Sequence, residues 1–188
     1  DGTYNVPPVA GVRLSIVSTS ANDSAAGTGI RSIELHYLDA NLNEQVELIT
    51  LNGLTPVLTQ AADIRFVNLM HAVTFGALTL AQGNIQGSTA GITYCSILAE
   101  TNVQISSARM VSAGKRLYIA GASAGSVSGS AAAKVLIRFV ASSYNGLTFT
   151  DPVVFLPYGS IGVQDGTVVY QFPIPFSFGE GVVIGLQA

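Results

Sequence analysis

IRSIELHYLDANLNEQVELITLNGLTPVL, residues Ile30 to Leu58, places two strand-like runs on either side of a polar turn, with a second turn signal behind them. In the first run Ile33, Leu35 and Tyr37 fall on one face and Ser32, Glu34 and His36 on the other, the two-residue period of a half-buried strand. In the second, Val46, Leu48 and Thr50 oppose Gln45 and Glu47. Asp39-Ala40-Asn41-Leu42-Asn43 supplies Asx side chains that accept backbone hydrogen bonds, and Asn52-Gly53 tolerates the positive φ of a tight turn. The stretch reads as a β-hairpin.

Working outward, a chain of 188 residues accommodates one substantial core, and a single domain is the working expectation. Hydrophobic residues make up 48% and charged residues only 10%, against roughly 25% charged in an average soluble chain. Permanent subunit interfaces are depleted in charge at their centres, so the composition favours a subunit of an assembly. A net charge of -3, with Lys115-Arg116 as the only adjacent basic pair, gives no electrostatic reason to bind nucleic acid. The single cysteine, Cys95, excludes an internal disulfide and a multi-cysteine zinc site, and its apolar surroundings mark it as a buried small hydrophobe. No apolar run is long enough for a transmembrane helix, and the N-terminus lacks the regions of a signal peptide. A small membrane β-barrel would carry aromatic girdles, which a tryptophan-free chain with scattered Tyr and Phe does not offer, so no membrane partner is expected.

Asp1 to Gly11, with Pro7-Pro8, reads as an extended arm. Strand patterns follow over Val12 to Ser18, Ala61 to Thr74, where Asn68 and His71 signal a bulge, and Gly91 to Ala99. Gln82 to Ala90 reads as turn-rich. Val103 to Met110 and Arg116 to Ala120 look like a second hairpin closed across Val111 to Lys115. Ala120 to Ala133, AGASAGSVSGSAAA, offers little to bury and reads as a flexible surface loop. Lys134 to Ala141, Val153 to Leu156, Thr167 to Phe172 and Val182 to Leu186 complete the strands, and the prolines of Phe172-Pro173-Ile174-Pro175-Phe176 suit a sheet edge. With no helical stripe and turn signals at short intervals, the expectation is an all-β antiparallel sandwich, jelly-roll-like, over residues 12 to 188.

The search for chemistry is negative. Ser112-Ala113-Gly114-Lys115 has the Ser-x-x-Lys spacing of penicillin-recognising acyl enzymes but lies in a turn, where a helix is required. His36, beside Glu34, and His71, near Asn68, are the only imidazoles and lack the spacing of metal ligands, so both read as surface or bulge histidines. Glu44 with Glu47, or Asp151 with Asp165, lack the facing geometry and aromatic platforms of a glycosidase. Gly121 to Gly129 opens no phosphate-binding helix, and Asn22-Asp23-Ser24 fits a glycosylation acceptor, a pattern common by chance. No catalytic residue, cofactor or metal is expected, and the chain reads as a non-enzyme.

GTGIRSIELHYLDANLNEQVELITLNGLTPVLT, Gly27 to Thr59, the aromatic strand through Phe66 and the VSAGK turn at Val111 to Lys115 together resemble a family of tailed-bacteriophage virion proteins, especially from marine and cyanobacterial phages. Those proteins show a glycine-led strand, a "DAN" turn, a strand ending in "TLNG" and a later "PAGK" hairpin; here Ser112 stands in place of the proline. The resemblance implies a structural component of the particle, foremost a capsid decoration or cement protein that binds the major capsid protein and its own copies as a trimer or other homo-oligomer. On that reading the contact residues are Tyr4, Val6, Pro7 and Pro8 in the arm and Phe172, Pro173, Ile174, Pro175, Phe176 and Phe178 at the edge. The alternative is a head-fibre, neck or tail component, or a module that binds a host-surface glycan through loops around Tyr144-Asn145, Asp151 and Tyr158.

Overall fold

The computed structural model describes residues 5–104, 106, 108–126, 138–143, 153–154 and 166–187, and over these the chain is all-β, built of antiparallel sheets with no helix. None of the described residues therefore forms a helix long and apolar enough to cross a membrane. Contacts gather into two compact units, one holding the described residues up to 106 and the other those from 108 onward. The sequence reads 12 to 188 as one sandwich, and contacts divide that span between two compact units.

In the first unit, β1 (Ser15–Ser18), β2 (Ile30–Leu38), β3 (Glu44–Thr50), β4 (Val57–Leu58), β5 (Phe66–Phe75), β6 (Ile85–Thr89) and β7 (Ile92–Ile97) form two sheets, a four-stranded one in the order β4-β1-β6-β7 and a three-stranded one in the order β3-β2-β5. Leu14, just before β1, and Ile16, Ile85, Cys95 and Ile97 from the first sheet meet Ile33, Leu35, Tyr37, Ile49, Val67 and Met70 from the second in one buried cluster. Each fully buried Leu or Ile there contributes about 1.5–3 kcal/mol relative to an exposed one.

The organising hairpin forms as expected, in register from Ser32 opposite Thr50 to Leu38 opposite Glu44. At its turn Asp39 Oδ1 accepts from the backbone N–H of Asn41 at 2.8 Å and of Asn43 at 2.9 Å, while the left-handed residue is Leu42, at φ 64°. The Asx carboxylate thus organises a turn whose strain falls on a neighbour. Gly53 takes φ 60°, and a Cβ there would meet the Cα of Ala21 at 3.0 Å.

The hairpin register also decides which face of β3 is outward. Val46 pairs with His36 and Leu48 with Glu34, so the register turns both aliphatic side chains away from the core; they are 58% and 61% exposed. Cross-strand partners share a face, and the face was set by the polar residues of β2.

Bulges appear in β5, where the β2–β5 register skips Asn68 and Val73. Asn68 is as expected; His71 is not bulged but lies directly opposite Glu34. Gln82 to Ala90, expected to be turns, contains β6, because Ile85 and Gly87 face the core and both ladder edges find partners in β1 and β7. The β6–β7 turn uses Ala90 and Gly91, both with positive φ (48° and 80°), the pairing of a type I′ hairpin.

In the second unit, β8 (Arg109–Met110), β10 (Arg138–Ser143), β11 (Val153–Val154) and β13 (Val182–Gln187) form a sheet in the order β11-β10-β13-β8, and β9 (Leu117–Ser126) pairs with β12 (Gly166–Phe178). Val111, Ala141, Phe178 and Ile184 make its buried cluster, with Ile119, Phe176 and Val182 packed against it.

Two expectations fail here. The Gly-Ser-Ala stretch, read as a loop over 120 to 133, is strand as far as Ser126, with Gly121 to Ser126 opposite Gln171 to Gly166. A ladder is made by backbone donors and acceptors, and small side chains forfeit packing without forfeiting those; residues 127–133 lie outside the described ones. The second hairpin does not form either, since β8 pairs with β13 and β9 with β12, although Ser112 O still accepts from Lys115 N at 3.2 Å to make the turn. The proline segment behaves as its chemistry requires, for the register jumps from Gln171 opposite Gly121 to Phe176 opposite Ile119, leaving both prolines outside the ladder.

Candidate functional site

Two polar clusters stand out in the first unit, each centred on a carboxylate. Asp23 is fully buried. Its oxygens accept from Ser18 Oγ at 2.7 Å, from Ile30 N and Gln82 N at 3.0 Å and from Gly83 N at 2.9 Å. It ties the loop after β1 to the start of β2 and to the segment before β6. The glycosylation pattern at Asn22 therefore overlaps a structural node: Asn22 O accepts from Gly29 N at 2.9 Å, and its neighbour Asp23 is the node.

The second cluster lies on the outer face of β2. Glu34 and His36 are two residues apart and so project from the same face, and His71 enters from β5 opposite Glu34. Glu34 Oε2 is 3.3 Å from His36 Nε2 and 3.7 Å from His71 Nε2, with the imidazole centroids 5.2 Å apart and tilted by 32°. His36 Nε2 and His71 Nδ1 are shielded from solvent and have no hydrogen-bond partner, so the 3.3 Å approach is out of line for a bond. Among the described residues these three form the group whose ligand-type atoms lie within 4.8 Å of one another. Read as isolated surface and bulge residues, the two histidines looked inert; the β2–β5 register, invisible to local spacing, brings them together. The Asn68 bulge signal pointed to the right strand.

A comparison with family models, curated proteins and solved structures finds no match to this chain.

Glu47 accepts from the amides of Gln60 (2.7 Å) and Ala61 (3.3 Å), a structural tie, and it alternates in face with Glu44. Asp151 and Asp165 lie outside the described residues, as do Tyr144, Asn145 and Tyr158. Ser112 is buried in its turn, with Gly114 N donating to Glu180 Oε2 at 2.7 Å. In the arm, Pro7 is buried, Val6 half-buried and Pro8 exposed, and Asn5 Nδ2 donates to Thr93 O at 3.1 Å, so the arm packs on its own unit; Tyr4 is outside the described residues. Phe178 is buried and Phe176 half-buried in the second unit's core, which removes Phe178 as a contact residue, while Pro175 is exposed. Phe172, Pro173 and Ile174 belong to β12. Cys95 is buried beside Met70, its Sγ 4.0 Å from Sδ, and burial pushes its thiol up to about 12.

Proposed function

We propose that this chain is a non-enzymatic structural protein of a bacteriophage particle, a capsid decoration or cement protein that stabilises the head by binding the major capsid protein and copies of itself. The observation that carries the reading is the outer face of β3, an edge strand that turns Val46 and Leu48 to solvent in a chain with only 10% charged residues. Monomeric surfaces rarely group aliphatic side chains without a partner to cover them. Burying the exposed part of two such side chains yields on the order of 2–4 kcal/mol, below the roughly 4–15 kcal/mol association cost. Firm attachment therefore comes from repetition over a lattice, where each further contact is made at high effective concentration. The resemblance of Gly27 to Thr59 and Val111 to Lys115 to phage virion proteins supports the same reading.

The test is attachment to heads that lack the protein. Purified chain should co-sediment with them and restore resistance to heat, and Val46→Asp with Leu48→Asp should abolish attachment while leaving the circular dichroism spectrum unchanged. Failure to bind such heads, with undecorated particles as heat-resistant as complete ones, would overturn the proposal.

A further inference from the structure

We infer that Glu34, His36 and His71 bind one first-row divalent cation of the zinc type on the outer face of the β3-β2-β5 sheet. The inference stands apart from the structural role proposed above and uses none of its premises.

Spacing is the first argument. Zinc bonds to imidazole nitrogen and carboxylate oxygen are about 2.0–2.1 Å long, so neighbouring ligand atoms of a tetrahedral ion lie roughly 3.3 Å apart. The observed separations from Glu34 Oε2 are 3.3 and 3.7 Å. All three ligand-type atoms lie within 4.8 Å of one another. The backbone supports that position, since the bulged Asn68 and Val73 bracket a regular stretch of β5 that fixes His71 opposite Glu34.

The second argument is polar satisfaction. A buried ring nitrogen without a partner is costly, and His36 Nε2, the atom that faces Glu34, is in that condition. That nitrogen is committed to no donor or acceptor elsewhere. A cation gives the His36 lone pair a partner and draws both rings onto the same carboxylate.

The donor set selects the ion. Two imidazoles and one carboxylate suit zinc, cobalt, nickel or copper, whereas calcium and magnesium take oxygen ligands. The three side chains are each about one third exposed (36%, 33% and 35%), so water fills the remaining coordination positions.

The chain has only two histidines, which makes the test clean. The tag-free chain is titrated with ZnCl2 by calorimetry and with Co2+ by visible absorption. The expected result is one equivalent bound in the micromolar range or tighter, unaffected by millimolar Ca2+. His36→Ala and His71→Ala should each weaken binding by roughly tenfold or more, and Glu34→Gln should weaken it too. Because the side chains are partly exposed, these variants should keep the wild-type melting temperature in metal-free buffer. Should a variant fail to fold, Cu2+ electron paramagnetic resonance on the wild type reads the site directly, with hyperfine structure from two imidazole nitrogens as the supporting result. No saturable uptake by the wild type, uptake unchanged in the double histidine variant, or a Cu2+ spectrum without nitrogen coupling would each overturn the inference.

Discussion

Asp23 and Glu34 are both carboxylates of the first unit, and they differ in how completely their neighbours satisfy them. Asp23 is fully buried and saturated by a hydroxyl and three backbone amides, so nothing is left for an outside partner. Glu34 is about one third exposed and has two imidazoles near it whose shielded nitrogens make no hydrogen bond. A saturated carboxylate holds a fold together; an unsaturated one with uncommitted donors beside it is available for binding.

Breaking the saturated cluster should have the largest effect. Asp23→Ala strips the partner from several amides at once and should cost about 3–5 kcal/mol in urea denaturation. A loss under 1 kcal/mol would show that water replaces the carboxylate and that the contrast with Glu34 is overdrawn.

The two faces of β2 and β3 offer the next contrast. Leu35→Ala, at a fully buried position, should cost about 2–5 kcal/mol, whereas Leu48→Ala, 61% exposed, should stay within about 0.5 kcal/mol. Equal losses by the same measurement would contradict the register that turns Leu48 outward.

Burial sharpens the comparison for the thiol. The folded chain holds the Cys95 proton up to about 12, while the unfolded chain releases it near its ordinary value of about 8.5. Between those values the unfolded state binds fewer protons, so Cys95 contributes a loss of stability as pH rises. Denaturation curves should show that loss, smaller in Cys95→Ala, and Ellman's reagent should label the native thiol only at the rate of opening.

Asp39 is saturated like Asp23 but at the surface. Burial pushes its carboxyl up, but hydrogen bonds from Asn43, Gln45 and Asn41 outweigh it and leave the carboxyl below its usual range. Its contribution is therefore present above the unfolded value and lost as pH falls through the folded one, below about pH 4. Asp39→Ala should flatten that acid limb in a stability titration. Smallest of all, Glu34→Gln in metal-free buffer should change stability by no more than about 0.5 kcal/mol, because no in-line bond is removed; a large loss in its thermal melt would mean that Glu34 is structural after all.

Much of the fold was legible locally. Alternation in Ile33, Leu35 and Tyr37 named the buried face of β2, and Asn52-Gly53 and the Asx residues named their turns; Pro173 and Pro175, read as sheet-edge residues, fall where the β9–β12 register jumps. The failures share one cause. Gly121 to Ser126 lacks side-chain signal, yet its backbone finds β12 as a partner; Gln82 to Ala90 looked like turns, yet its edges are filled from both sides. Pairing between distant segments is a property of the ladder, not of either segment alone.

From its sequence alone the chain is an all-β, charge-poor protein with one buried thiol and a hairpin at residues 30–58, because period-two patterning, turn chemistry and composition act within a few residues. Tertiary structure alone decided that Val46 and Leu48 face outward and that Glu34, His36 and His71 converge. Both follow from strand register, which a residue acquires only from the partner laid beside it.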